Sequence, residues 1–264
     1  MAHDGLRNKN ALISAASSGI GKAVARALAD EGCNIHIFSR HEEKIRSVAE
    51  ELSRDTGSQV NYSVADMTNP DEVRKVMQDA RERTGNIDLL IVNFGDPKVA
   101  PFLEIPIDEW DANLNMFIKS PLVMTHAVLP SMMSKGFGRI VFITSLTTKH
   151  VMENFAISAS LRAAVVSLSK VISLEFSGKG ITSNSISQGY IMTPRLESIA
   201  ERNSKKFNIP IDKAYDEIRQ NIPARRFGKP EEIGHLVTFL CSDEASYING
   251  ANIQIDGGMI RFPL

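Results

Sequence analysis

The sequence predicts an α/β fold: a doubly wound parallel sheet of seven strands, with helices on both faces and a helical insertion near 194–223. Three observations predict it. Short apolar runs alternate with segments of helical periodicity along nearly the whole chain. Several of those runs are continuously apolar, as expected of strands covered on both faces. Alternation of this kind also calls for right-handed crossovers between parallel strands.

Taken in order, the expected strands lie at 11–14, 34–39, 60–65, 89–93, 139–144, 182–187 and 252–255. The helical segment 21–31 places Val24, Ala27 and Leu28 on one stripe, and 42–54 does the same with Ile45, Val48, Ala49 and Leu52. Pro70-Asp71-Glu72 opens the next helix with proline and acids in its first turn, where the dipole favours them. Asp108-Glu109-Trp110-Asp111 marks another helix start, with Trp110 read as packing. Helices at 121–134, 158–176 and 231–241 complete the pattern. The polar stretch 194–223 interrupts it and is expected to form one or two helices over the carboxyl edge of the sheet, either as a substrate lid or as a packing excursion.

At 264 residues, 43% of them hydrophobic, the chain is long enough for one α/β domain spanning 1–264. A formal net charge of −1 gives no global field for nucleic acid or an anionic membrane, so neither is an expected partner. Cys33 and Cys241 lie far apart without CxxC spacing, which argues against a disulfide framework or a thiolate metal site. The histidines show no metal-ligand spacing, so no metal is expected. No apolar run is expected to span a membrane, and the first residues lack an apolar signal core; the expected setting is cytoplasmic.

Ser14-Ala15-Ala16-Ser17-Ser18-Gly19-Ile20-Gly21 follows the first strand and opens the first helix. That is the context of a phosphate-binding turn. Gly19 lets backbone approach a pyrophosphate, Gly21 lets the helix pack closely, and helix amides meet the anion. Ser14, Ser17, Ser18 and Ile20 share the turn, the serines as added donors. The second strand ends in Ser39-Arg40 rather than a carboxylate. A guanidinium suits a 2′-phosphate, so NADP is the expected cofactor, with NAD the alternative if Arg40 is only a solvated neighbour of His41.

Ala-Ser-Ser-Gly-Ile-Gly, Asp66, Asn93-Phe94-Gly95, Ser145, Asn184, Gly189, Thr193, then Phe-Gly-Lys-Pro-Glu-Glu-Ile and Ile-Asp-Gly-Gly, resemble the short-chain dehydrogenase/reductase family over residues 9–259. Among its members, 3-oxoacyl-[acyl-carrier-protein] reductases are the similar ones. The resemblance implies a Rossmann fold and an NADP-dependent oxidoreductase acting on an alcohol/carbonyl pair. It implies that the glycine turn holds the pyrophosphate and that Asp66 contacts the adenine. Asn93 and Gly95 would line the adenine ribose, and Thr193, after Gly189, would reach the nicotinamide amide. It also implies a homotetramer or homodimer. Three positions depart from the family pattern: Ala15 for a glycine, Phe94 for an alanine and Gln188 for a proline.

The larger departures lie at the chemical end. The family uses Asn, Ser, Tyr and Lys. By position Ser145 keeps the serine, whereas Phe117 stands in the asparagine slot, Ser158 in the tyrosine slot and Arg162 in the lysine slot. An aliphatic hydroxyl lacks a phenol's acidity, and arginine stays protonated. Arg162 can instead hold a substrate carboxylate, stabilise an oxyanion or contact the ribose. His150 is the expected proton source, with Tyr190 and a water as alternatives. Replacing Ser158 by Tyr and Arg162 by Lys is expected to raise ketone reduction. Two other readings stay open: a nucleotide-binding protein without hydride transfer, and a non-redox lyase or hydratase.

Overall fold

The computed structural model describes residue 3 and residues 5–261. Its seven strands are β1 (Asn10–Ser14), β2 (Asn34–Ser39), β3 (Val60–Val64), β4 (Leu89–Val92), β5 (Gly138–Ile143), β6 (Ile181–Gln188) and β7 (Asn252–Ile255). They form one sheet in the order β3-β2-β1-β4-β5-β6-β7, every pair parallel. Chain order reverses between β1 and β4, and a crevice opens above the carboxyl ends of strands at such a point. Alternation along each strand divides the core. Leu12, Leu90, Val92, Ile140 and Phe142 face one layer; Ala11, Ile13, Ile91, Val141 and Ile143 face the other.

The helices fill those two layers. On one side α1 (Gly19–Asp30), α2 (Glu42–Thr56) and α9 (Pro230–Cys241) bury Val24, Leu28, Ile45, Leu52 and Val237. On the other lie α3 (Pro70–Thr84), α5 (Ser120–Lys135) and α6 (Ala156–Phe176). Their ends follow local chemistry. Asn69 caps α3 by accepting from the Asp71 amide at 3.2 Å, and Gly57 ends α2 in the left-handed region at φ 72°. Helix α4 (Ile107–Leu114) runs into α5 through a π-helical turn, Asn115–Lys119, which carries Phe117. The sequence carried no signal for that turn.

The insertion forms α7 (Pro194–Phe207) and α8 (Ile211–Gln220), which build a small core of their own from Leu196, Ala200, Ala214, Ile218, Ile222 and Phe227. Ala156–Lys179 is long and apolar enough to cross a membrane by length and composition. In the fold its Ile157, Leu161, Val165 and Ile172 are buried on one stripe in the core layer, with Arg162 buried among them.

Candidate active site

A cavity of about 590 Å³ runs along the carboxyl edge of the sheet, from the β1–α1 turn to the start of α6. At one end Ser17, Ser18, Gly19 and Ile20 line it. Ser18, the residue before α1, makes no capping hydrogen bond, and no acid occupies the first turn. The helix amides there are thus left for an external anion. Gly21 serves packing: a Cβ there would stand 2.4 Å from the Ala15 carbonyl oxygen. Ala15, in place of a glycine, adopts the left-handed conformation at φ 50°, which costs an L-residue roughly 1 kcal/mol.

Ser14 does not belong to the cavity lining. It is fully buried, donating to the Asn93 carbonyl at 2.7 Å and accepting from the Asn93 amide at 2.9 Å. The Asn93 side chain donates to the Ala15 carbonyl at 3.2 Å. Together they clamp the turn to the end of β4. Gly95 packs under Met116, and Gly189 leaves no room for a Cβ against Asp256. Ser39, Arg40 and Asp66 line the next part, with the Arg40 guanidinium 3.8 Å from the Asp66 carboxylate. The Ser39 hydroxyl is buried without a partner among the described residues, and so is Asn113 Oδ1 on the cavity wall. These open amides, the unpartnered Ser39 hydroxyl and Asn113 Oδ1, and the exposed Arg40 fit a phosphorylated dinucleotide. Thr193 closes over Gly19, its methyl 3.2 Å from where a Cβ would stand.

At the other end Ser145, Ser158 and Arg162 share the lining with Thr147, which the sequence did not single out. The Thr147 amide donates to Ser145 Oγ at 3.3 Å, and its hydroxyl lies 3.0 Å from Ser158 Oγ. One residue thus links both serines. Helix α6 carries Ser158 and Arg162 one turn apart, and each is 6% exposed. Arg162 Nη1 donates to the Ile143 carbonyl at 3.1 Å, whereas Nε is buried and unpartnered among the described residues. The guanidinium lies over two rings, 4.9 Å from the Phe117 centroid and 5.5 Å from that of Phe94. Those rings stack at 4.8 Å. Burial pushes Arg162 down to about 10, with Asp96 opposing the shift and Arg195 adding to it. Asp96 is paired with Arg195 at 3.4 Å.

His150 is not brought to the site. Its amide donates to the Leu146 carbonyl at 2.8 Å, closing the turn after β5, and its side chain is exposed. Tyr190 does line the cavity, and burial raises its phenol above the ordinary value. Asp96, Arg195 and Gln188 also line the cavity, together with apolar Val99, Met152, Phe155, Leu196 and Ile199.

A family model described as enoyl-(acyl carrier protein) reductase matches residues 14–260. The chain belongs to the short-chain dehydrogenase/reductase family. Oxidoreductase UcpA of Escherichia coli K12 is 36% identical over 254 residues, covering 96% of this chain and 95% of that one. The 3-oxoacyl-[acyl-carrier-protein] reductase FabG of Thermotoga maritima is 32% identical over 255 residues, covering 97% and 99%. L-Sorbose reductase from Gluconobacter frateurii, solved with NADPH and L-sorbose, superposes with a TM-score of 0.94 at 27% identity, covering 99% and 100%.

Proposed function

We propose that the protein is an NADP-dependent oxidoreductase acting on an alcohol/carbonyl pair through an atypical site. One observation carries this reading: a single cavity joins the open amides of α1 to Ser145, Thr147 and Ser158. Ser17, Ser18, Gly19 and Ile20 would hold the pyrophosphate, and Arg40 the 2′-phosphate. Asp66, Asn93 and Gly95 would border the adenosine, and Gly189 and Thr193 the nicotinamide. The bound cofactor supplies or takes the hydride. Ser145 Oγ already accepts from the Thr147 amide, so its own proton is directed to the carbonyl oxygen. Ser158 keeps a hydroxyl near that oxygen but cannot act as an acid. Tyr190, which lines the cavity and whose phenol burial raises above the ordinary value, is the proton source in place of His150. Helices α7 and α8 act as a lid over the apolar end. The protein assembles as a dimer or tetramer, a reading supported by the exposed Val171 and Leu174 on α6.

The test is a fluorescence titration with NADPH and NADH, followed by stopped-flow oxidation of NADPH with a panel of carbonyl compounds. The expected result is NADPH binding roughly ten-fold or more tighter than NADH, with substrate-dependent oxidation. Absence of NADPH binding would overturn the proposal. Binding without oxidation would favour a second reading, a nucleotide-binding protein without hydride transfer. The two phenyl rings, standing where the family keeps an alanine and an asparagine, favour that reading.

A further inference from the structure

Arg162 is a buried cation without an ionic partner among the described residues. Its Nη1 is spent on the Ile143 carbonyl and its Nε has no acceptor. The Phe94 and Phe117 rings beneath it offer quadrupoles and no charge. The nearest opposing charge, Asp96, is already paired with Arg195. An unpaired buried charge costs several kcal/mol and is ordinarily matched by an anion. The rest of the wall narrows the choice. Ser158 carries one hydroxyl on a short stem, so the volume a phenol would occupy in front of Arg162 is open to ligand. Thr147 and Ser158 set two hydroxyls 3.0 Å apart on the lining of the same cavity.

We infer that this space is an anion subsite. Arg162, Thr147 and Ser158 hold the carboxylate of the substrate, so that the protein acts on short oxo acids and their hydroxy acids. The spacing follows from Thr147. Its amide binds Ser145 and its hydroxyl binds Ser158. The carbonyl placed at Ser145 and the carboxylate at Ser158 are therefore near neighbours, as in α- and β-oxo acids. Carboxylate oxygens suit this donor set: a planar guanidinium pairs with them through parallel N–H bonds, and hydroxyls complete their shell. Apart from the Asp96–Arg195 pair, the wall of Met152, Phe155, Leu196 and Ile199 is apolar and has no further charge to satisfy.

The inference rests on the oxidoreductase reading for the carbonyl and stands apart from it for the anion, so the test separates the two. Calorimetry of the wild-type protein with α-ketobutyrate, acetoacetate and their methyl esters reads the subsite directly. It is run with saturating NADP⁺, which cannot reduce the ketone, and again without cofactor. Each acid is expected to bind roughly ten-fold or more tighter than its ester. The preference is expected to vanish in Arg162→Met and to persist in Arg162→Lys. Equal affinity of acid and ester in the wild type, or no binding of either, overturns the subsite, and needs no variant to fold. If Arg162→Met weakens NADP⁺ but leaves the acid-to-ester ratio unchanged, the guanidinium serves the ribose and the inference fails. If NADP⁺ does not bind, the redox reading fails, and the cofactor-free titration still decides the subsite. Oxidation of NADPH by the ester as fast as by the acid leaves the redox reading standing and removes this one.

Discussion

The two ends of the cavity differ in how they meet their demands. At the nucleotide end the work is done by backbone: open amides at α1, a turn clamped by Ser14 and Asn93, and glycines where a Cβ would collide. At the chemical end it is done by side chains: Phe94 and Phe117 stack beneath Arg162, with Ser158 one turn before it on α6. A backbone cradle tolerates a substitution such as Ala15 at a modest cost. A side-chain constellation does not change one member at a time, because each residue fills space or satisfies charge for the next. Arg162 needs the rings beneath it, and the rings need each other.

The largest expected effect tests whether those four positions act as a unit. The structure revises the expectation from sequence: Ser158→Tyr with Arg162→Lys alone is expected to gain little, because Phe117 and Phe94 occupy the floor beneath the exchanged pair. Adding Phe94→Ala and Phe117→Asn is expected to raise ketone reduction by roughly 10²–10⁴-fold, the range supplied by a positioned acid. Steady-state kinetics with NADPH decide it; a full gain in the double variant breaks the comparison. Next, Ser145→Ala is expected to lower kcat roughly 10²–10³-fold with NADPH affinity unchanged, which keeps the two ends separate. Phe117→Ala is expected to cost about 3–5 kcal/mol in urea denaturation, since the ring is fully buried and also supports Arg162.

A smaller effect belongs to the nucleotide half. His36 in β2 is fully buried, 2.6 Å from the Ser63 hydroxyl, which itself donates to Asp79 at 2.6 Å. Burial pushes its pKa down to about 4, outweighing the opposing pull of Asp79 at 3.8 Å. The unfolded chain takes up a proton near pH 6.5 while the folded one stays neutral to about pH 4. Stability is therefore present above pH 6.5 and lost as pH falls toward 4, by about 3 kcal/mol in total. Denaturation midpoints across that range check the slope, which is expected to flatten in His36→Gln. The smallest effect is Ala15→Gly, expected to stabilise by up to about 1 kcal/mol by relieving the left-handed backbone, read as a rise in Tm.

The sequence made the frame legible because its signals are local. The expected strands at 34–39 and 252–255 match β2 and β7, and the other boundaries fall within two residues. Glycines and serines after an apolar strand announce a phosphate turn by their own chemistry. What stayed hidden depends on distance. Phe94 and Phe117 are far apart in sequence, and nothing in either neighbourhood announces that their rings stack under Arg162. Ser14 belonged by spacing to the phosphate turn but is spent on Asn93. Thr147 looked like one more polar loop residue until the turn after β5 placed it between two serines. His150 was favoured for its titration range, which carries no information about which way a loop faces.

The π-helical turn between α4 and α5 holds more residues per winding than its flanks. A chain that lost a single amino acid there could keep hydrogen-bonded helix on both sides. The flanking segments would keep nearly the same phase, because the wide turn absorbs the extra residue, and the change would fall on the residues inside the turn. Phe117 would swing off the stack and expose the floor under the buried guanidinium. A length change that secondary structure hardly registers would thus act on the ligand pocket as a reshaping event, and this is where short insertions and deletions are expected to diversify specificity.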